Sequence, residues 1–362
     1  MISLPLPINL PPRRLRLIIS CVALSFLFST LLLAGQWHHQ SPAEVLATNT
    51  NTAVDSGSKS IWASWTTEQL VPRFAYAQYA TNLNYLCNAL INFHLLKRYG
   101  TQHDLVLIHP KQWSNGDSPE AKALATIRED HPDIFLCGFD VISTRKGDAT
   151  WADSLTKFHS FALTNWTRIL AFDSDSLVLN KMDHYFLSPL APIAVPRAYW
   201  LNNKEDDIAQ QVLGSHVMLL EPNEKQYKKI VDEALRSGDF DMEVINHMFK
   251  DSAMILPHRR LALLSGEFRT NDHSKYMAPN EDEEWNAMGE VSRALLVHFS
   301  DWPLPKPWMP RTEAEWEAAL PECRDDDAGA PDRPPCANRM MWTGFYHDYD
   351  TYKEKQCATI LG

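Results

Sequence analysis

Two aspartates one residue apart, Asp173 and Asp175, follow directly on the apolar run Arg168-Ile169-Leu170-Ala171-Phe172. Where such a run is a buried strand, alternate residues beyond its end bring two carboxylates to one side of an exposed turn. Hard divalent cations, Mn²⁺ or Mg²⁺, take oxygen ligands of this kind. A cation held there can bridge to a diphosphate and neutralise the charge that grows as a nucleotide departs. The pair alone is a weak signal, because two acidic residues in a turn are more often simply solvated. Its place at the carboxyl end of an apolar strand strengthens it. The run Asp325-Asp326-Asp327 has no such strand before it and reads as a solvated loop.

The elements that must position these groups alternate along the chain. Residues 73–79 form a short aromatic, strand-like run, and Asn82 and Asn84 supply helix-start chemistry. Residues 85–98 carry Leu86, Leu90, Phe93 and Leu96 at helical spacing, and Gly100 ends that helix. An apolar strand at 104–109, a helix at 121–129, a strand at 134–137 and a helix at 156–163 lead to the strand at 168–172. A strand at 217–220, helices at 224–237 and 242–250, and a late strand at 295–299 follow. After the proline-broken 302–308 comes one short helical stretch at 313–320, then loop to the end. Strands alternating with helices predict an α/β fold with a mainly parallel sheet flanked by helices. In such sheets ligands bind beyond the carboxyl ends of the strands.

The stretch 169–178 resembles two families. It is similar to the first motif of haloacid-dehalogenase-type phosphatases, in which the first aspartate is a nucleophile and the second a general acid. That motif usually opens its domain, whereas here about a hundred residues of α/β pattern precede it. Leu155-Thr156-Lys157-Phe158-His159, followed by the run from Arg168 through Asp173-Ser174-Asp175 to Leu179, also resembles glycosyltransferase family 8, the glycogenin-like enzymes. His298-Phe299 through Lys306-Pro307-Trp308 resembles the closing motif of the same family. The stretch from Tyr276 to Trp308, with Asn280-Glu281-Asp282, resembles the family's fungal Golgi branch, which contains N-acetylglucosaminyltransferases acting on mannose chains. The resemblance covers about residues 72–310.

That resemblance implies a GT-A fold, a UDP-sugar donor, Mn²⁺ (or Mg²⁺) and transfer with retention of configuration to a glycan or glycoprotein acceptor. It implies that Asp173, Asp175 and His298 are metal ligands and that Lys306 and Lys157 serve the donor diphosphate. Tyr79, Thr81, Asn82 and Tyr85 match the end of the first strand, where the family holds uridine. Asp241 matches the acidic residue beside the reacting sugar. Two departures stand out. The family follows that aspartate with Gln, and here it is Met242. Its Asn-Ser-Gly before the 217 strand appears as Gly214-Ser215-His216. A fold retained without catalysis is a further reading that these departures leave open.

The N-terminus bears on the compartment. Arg13, Arg14 and Arg16 precede an uncharged run from Leu17 to Gly35, long enough for a membrane-spanning helix. The flanking arginines place the N-terminus in the cytosol. A cleaved signal peptide is the alternative. The expected layout is a cytosolic tail at 1–16, a signal anchor at 17–35, a polar stem at 36–68, a catalytic domain at 69–310 and an acceptor-side extension at 311–362. The expected setting is a single-pass type II protein of the Golgi membrane. Acidic residues outnumber basic ones 45 to 34, for a formal charge of −11, which argues against a nucleic-acid partner. Of six cysteines, Cys21 lies in the apolar run, so five are expected to be lumenal and at least one thiol stays unpaired. Cys323 and Cys336 flank a Pro- and Asp-rich loop and are the expected pair. Cys87 and Cys137 sit in apolar surroundings and read as inert core residues. Asn165-Trp166-Thr167 is the sole N-glycosylation sequon.

Overall fold

The computed structural model describes residues 72–144, 146, 152–202, 211–280, 282–323 and 336–361. The expected anchor and stem lie outside them. Among the described residues no helix is long and apolar enough to cross a membrane.

Ten strands are described: β1 (Phe74–Tyr79), β2 (Asp104–Pro110), β3 (Ile134–Phe139), β4 (Arg168–Phe172), β5 (Ser176–Val178), β6 (Ile193–Pro196), β7 (Val217–Leu220), β8 (Met254–Leu256), β9 (Leu263–Leu264) and β10 (Leu296–His298). Seven form one sheet in the order β3-β2-β1-β4-β7-β6-β8. From β3 to β4 every pairing is parallel, whereas β7 runs antiparallel to both β4 and β6. The expected mainly parallel sheet is present. Strand order reverses between β1 and β4, with β2 and β3 wound to one side and the later strands to the other. A crevice opens at such a reversal, beyond the carboxyl ends of the two strands. Tyr79 and Phe172 are those ends.

The helices are α1 (Leu83–Arg98), α2 (Pro119–Asp130), α3 (Glu224–Ser237), α4 (Asp241–Phe249), α5 (Ser274–Met277), α6 (Ala287–Arg293), α7 (Glu313–Ala319) and α8 (Ala337–Leu361). Asn82 caps α1 as its chemistry suggests, its side chain accepting from the Tyr85 N–H. Residues of β1 alternate between two cores. Tyr76 points to the layer of α1 and α8, while Ala75, Ala77 and Tyr79 point to the layer of α3 and α4. The expected helix at 156–163 is a 3-10 segment, Ser154–Ala162, buried over nearly its whole length between the sheet and α3.

Three expectations need correcting, and two of them involve the end of the chain. The tail beyond 320 is not simply loop: α8 runs for 25 residues. Its buried residues Trp342, Phe345, Tyr346 and Tyr349 follow helical spacing, but the stripe is aromatic rather than aliphatic. Cys87 is not an inert core thiol. It is bonded to Cys357 of α8, 270 residues away, a separation at which sequence carries no pairing signal. The segment expected as a helix at Thr156–Leu163 has the tighter 3-10 winding and packs against α3. The expected Cys323–Cys336 pair is present, and Cys137 is the unpaired thiol among the described residues.

The Cys87–Cys357 bond closes a very long loop, so the bond removes much freedom from the unfolded chain. Replacing both residues by Ala is expected to lower stability by about 2–5 kcal/mol. Removing the short Cys323–Cys336 link is expected to cost less, and thermal melts of the two double variants measure the difference.

Candidate metal and nucleotide-sugar site

The turn that follows β4 is held from several sides. The Asp173 N–H donates to the His216 carbonyl at 2.9 Å, and Ser174 Oγ donates to the Tyr79 carbonyl at 2.7 Å. The Gln78 amide donates to the Asp173 carbonyl at 3.2 Å, and the Phe299 N–H donates to the Asp175 carbonyl at 3.0 Å. The turn is thereby tied to β1, to the segment entering β7 and to the chain leaving β10. Antiparallel pairing sets His298 of β10 opposite Ser176 of β5. Two stretches far apart in sequence are thus locked edge to edge.

This register brings three expected ligands together. His298 Nε2 lies 3.0 Å from Asp175 Oδ1 and 3.9 Å from Asp173 Oδ2. One donor atom from each of Asp173, Asp175 and His298 lies within 4.8 Å of the others, close enough to share one cation. Two carboxylates and an imidazole form a donor set that suits Mn²⁺. The residues present fit such an ion.

Two lysines balance the carboxylates. Lys157 is 4% exposed and is wedged between Asp173 and Asp241, with Nζ 2.7 Å from Asp241 Oδ2. Ser215 Oγ donates to the same Asp241 oxygen at 2.5 Å. Lys306 donates to Asp175 Oδ2 at 2.8 Å and to the Phe299 carbonyl. Burial would raise the Asp175 carboxyl, but His298 and Lys306 outweigh it and hold the group well below the usual range. Burial pushes Asp173 up to about 6, against the pull of Lys157. Burial would lower Lys157, yet Asp173 and Asp241 raise it above the ordinary lysine value. Burial, then His298 and Lys157, push His216 down to about 3, so its ring is neutral.

A cavity of about 630 Å³ opens beside the triad. Tyr79, Thr81, Asn82, Tyr85, His298 and Lys306 all line it. The Tyr79 and Tyr85 rings stack at 6.0 Å, and Trp308 lies 5.6 Å from Tyr85. Tyr79 is buried, whereas Tyr85 is partly exposed. Lys157 and Asp241 lie outside this lining, joined to it through Asp173.

Sequence reading missed other groups. Trp302 and Trp308 belong to the cavity, and Trp302 is 83% exposed. Their place in the closing motif was the available signal. Asp301 is buried and accepts from Trp342 Nε1 and Tyr346 Oη of α8, each at 2.9 Å, as well as from Ser265. It fastens the chain that carries Lys306 to the late helix. Asn246 of α4 clamps the backbone of Leu213, donating to its carbonyl and accepting from its N–H at 2.8 Å each. Neither pairing has a sequence signature.

No family model matches the chain. Glucose N-acetyltransferase 1 of Gibberella zeae is 38% identical over 294 residues, covering 80% of this chain and 63% of that one. Glucose N-acetyltransferase 1 of Aspergillus fumigatus is 33% identical over 306 residues, covering 80% of this chain and 78% of that one. The chain therefore spans less than two thirds of the length of the first of these relatives. Among solved structures, the galactosyltransferase LgtC, in complex with donor and acceptor sugar analogues, matches with a TM-score of 0.48 at 13% identity, over 70% of this chain and 98% of that one. On the strength of the fungal relatives, the chain belongs to the glucose N-acetyltransferase 1 family of glycogenin-like glycosyltransferases.

Proposed function

We propose that this protein is a divalent-cation-dependent, retaining glycosyltransferase that moves N-acetylglucosamine from a UDP donor to a hydroxyl of a glycan acceptor such as a mannose chain. The observation that carries this reading is the meeting of Asp173, Asp175 and His298 beside the cavity lined by Tyr79, Thr81, Asn82, Tyr85 and Lys306. The name shared by the relatives supports N-acetylglucosamine as the sugar.

When bound, Mn²⁺ supplies Lewis-acid stabilisation of the departing diphosphate. The protein's own residues do the rest. Asp173, Asp175 and His298 would hold the cation. Lys306, at the mouth of the cavity, is placed to swing from Asp175 to a phosphate oxygen. The Tyr85 ring offers a face for the base. Asp241 keeps a fixed negative charge near the reacting carbon, with one oxygen committed to Lys157 and Ser215. Lys157 is too buried and too fully paired to reach the donor, so it acts as a positioning residue.

The remaining expectations belong to the same proposal. Two disulfides suit an oxidising compartment, in keeping with a lumenal domain behind a signal anchor at 17–35 in the Golgi membrane. The phosphatase reading gains nothing from the structure. The motif closes the fourth strand, and Asp175 is committed to His298 and Lys306.

UDP release from UDP-N-acetylglucosamine is expected to require Mn²⁺, to stop with EDTA, and to fall by at least about 100-fold in Asp175→Asn. Metal-independent release in the wild-type protein would sink the reading. Lys157→Met leaves Asp173 and Asp241 buried without their cation. It is expected to cost about 3–5 kcal/mol in chemical denaturation, part of which the double variant Lys157→Met/Asp241→Asn should recover.

A further inference from the structure

We propose that this protein carries a second anion site, apart from the metal, that takes a phosphate ester borne by the acceptor glycan. This rests on the glycosyltransferase reading above and names a chemical class of acceptor.

A cavity of about 1000 Å³ opens beyond the ends of β6 and β8. Arg197, Arg259, Arg260, Lys275 and Arg293 line it, and among the described residues no carboxylate does. Arg259 and Arg293 are matched by Glu283 and Glu290, which stand outside the lining. Arg197, Arg260 and Lys275 have no carboxylate partner among the described residues. Lys275 donates only to the Trp200 carbonyl, at 3.5 Å. Arg197 is partly buried, and burial pulls its guanidinium below the usual arginine value with no negative charge to offset it. The chain has a formal charge of −11, so three unmatched cations around one open cavity are out of keeping with its surface at large. Guanidinium forks suit the oxygens of a phosphate.

The backbone at Arg260 is a second, independent sign. Its φ is 76°, the one left-handed value at a non-glycine residue among those described. A side chain is strained in that conformation. Its N–H donates to Tyr276 Oη at 3.1 Å and its carbonyl accepts from the Leu295 N–H at 2.8 Å, so the strain is locked in. Glycine would make this turn at less cost, and the fold alone does not ask for arginine. Strained residues of this kind gather at ligand sites.

The place of the cavity points to the acceptor. β7 runs antiparallel to β4 and β6, and β8 runs parallel to β6, so β6 and β8 end on the same edge as Phe172. Two strand spacings, about 10 Å, separate β4 from β6. The nucleotide cavity lies toward β1, on the opposite side of β4. A bound nucleotide therefore leaves the β6 and β8 side of the edge to the acceptor. A short chain of sugars spans from the metal to the arginines.

The test has two arms, both on the full chain. The first is calorimetry without donor, with mannose 6-phosphate, mannose and inorganic phosphate as probes. Mannose 6-phosphate should bind and mannose should not. Arg197→Gln and Arg260→Gly should each weaken that binding about tenfold or more. Arg260→Gly should melt no lower than wild type, which separates its loss of binding from unfolding. Arg236→Gln, on α3 and outside the lining, should bind as wild type does. The second arm is transfer from UDP-N-acetylglucosamine with Mn²⁺ to a mannotriose with and without a phosphate monoester on its far sugar. The phosphorylated acceptor should show a KM about tenfold lower, and both arginine variants should bring the two KM values level. No binding of mannose 6-phosphate to wild type would overturn the site. Binding of the probes with equal KM values for the two acceptors would overturn the acceptor assignment and leave a site for a free anion. No transfer and no UDP release with either acceptor would overturn the glycosyltransferase reading instead, and the calorimetry would still decide whether the anion site exists.

Discussion

The site depends on one buried cation. Lys157 sits with almost no water contact between Asp173 and Asp241, residues that come from the end of β4 and the start of α4. An isolated ammonium would be strongly disfavoured there, and so would either carboxylate alone. Together they fix the distance between the metal-side aspartate and the sugar-side aspartate. Asp241 also begins its helix, where the backbone dipole favours a negative charge. Three carboxylates face two lysines across the site. The balance leaves one negative charge when His298 is neutral, an electrostatic welcome for a divalent ion in a protein whose overall charge is already −11.

The second half of the site is held by the late helix. Asp301 gathers Trp342 and Tyr346 of α8, Ser265 and the chain leaving β10 into one buried knot. His298 and Lys306 flank that knot in sequence. Their positions therefore depend on α8, although α8 supplies no ligand of its own to the triad. The nucleotide cavity inherits this dependence, because Trp302, Lys306 and Trp308 lie on the same fastened stretch.

What could be seen in the sequence was whatever is local or repeated in a family. The apolar strand ending at Phe172, the Asn82 cap and the closing motif around His298 all carry their signal within a few residues. Asp173, Asp175 and His298 do converge, as the resemblance implied, and Tyr79, Thr81, Asn82, Tyr85 and Lys306 line one cavity. Long-range pairings were invisible. Nothing near Lys157 announces that its partner is Asp241, 84 residues away, so a phosphate role looked natural for it. The helical stripe of α8 was present at 342, 345, 346 and 349, but Trp, Phe and Tyr among His, Asp and Lys do not look like an aliphatic core face. Nothing in the tripeptide Gly214-Ser215-His216 announces that the imidazole fills the space above the glycine.

The bond between Cys87 and Cys357 joins the first helix after β1 to the end of α8. Between those two points the polypeptide is a covalent circle that contains Lys157, Asp173, Asp175, Asp241, His298 and Lys306. A single cut anywhere in that circle leaves both pieces joined through the bond, so those six residues stay in one covalent unit with Tyr79, Thr81, Asn82 and Tyr85, which precede Cys87. A protease that nicks one exposed loop in an oxidising compartment would make a scar in the catalytic body, not a separation, for as long as the bond stays oxidised.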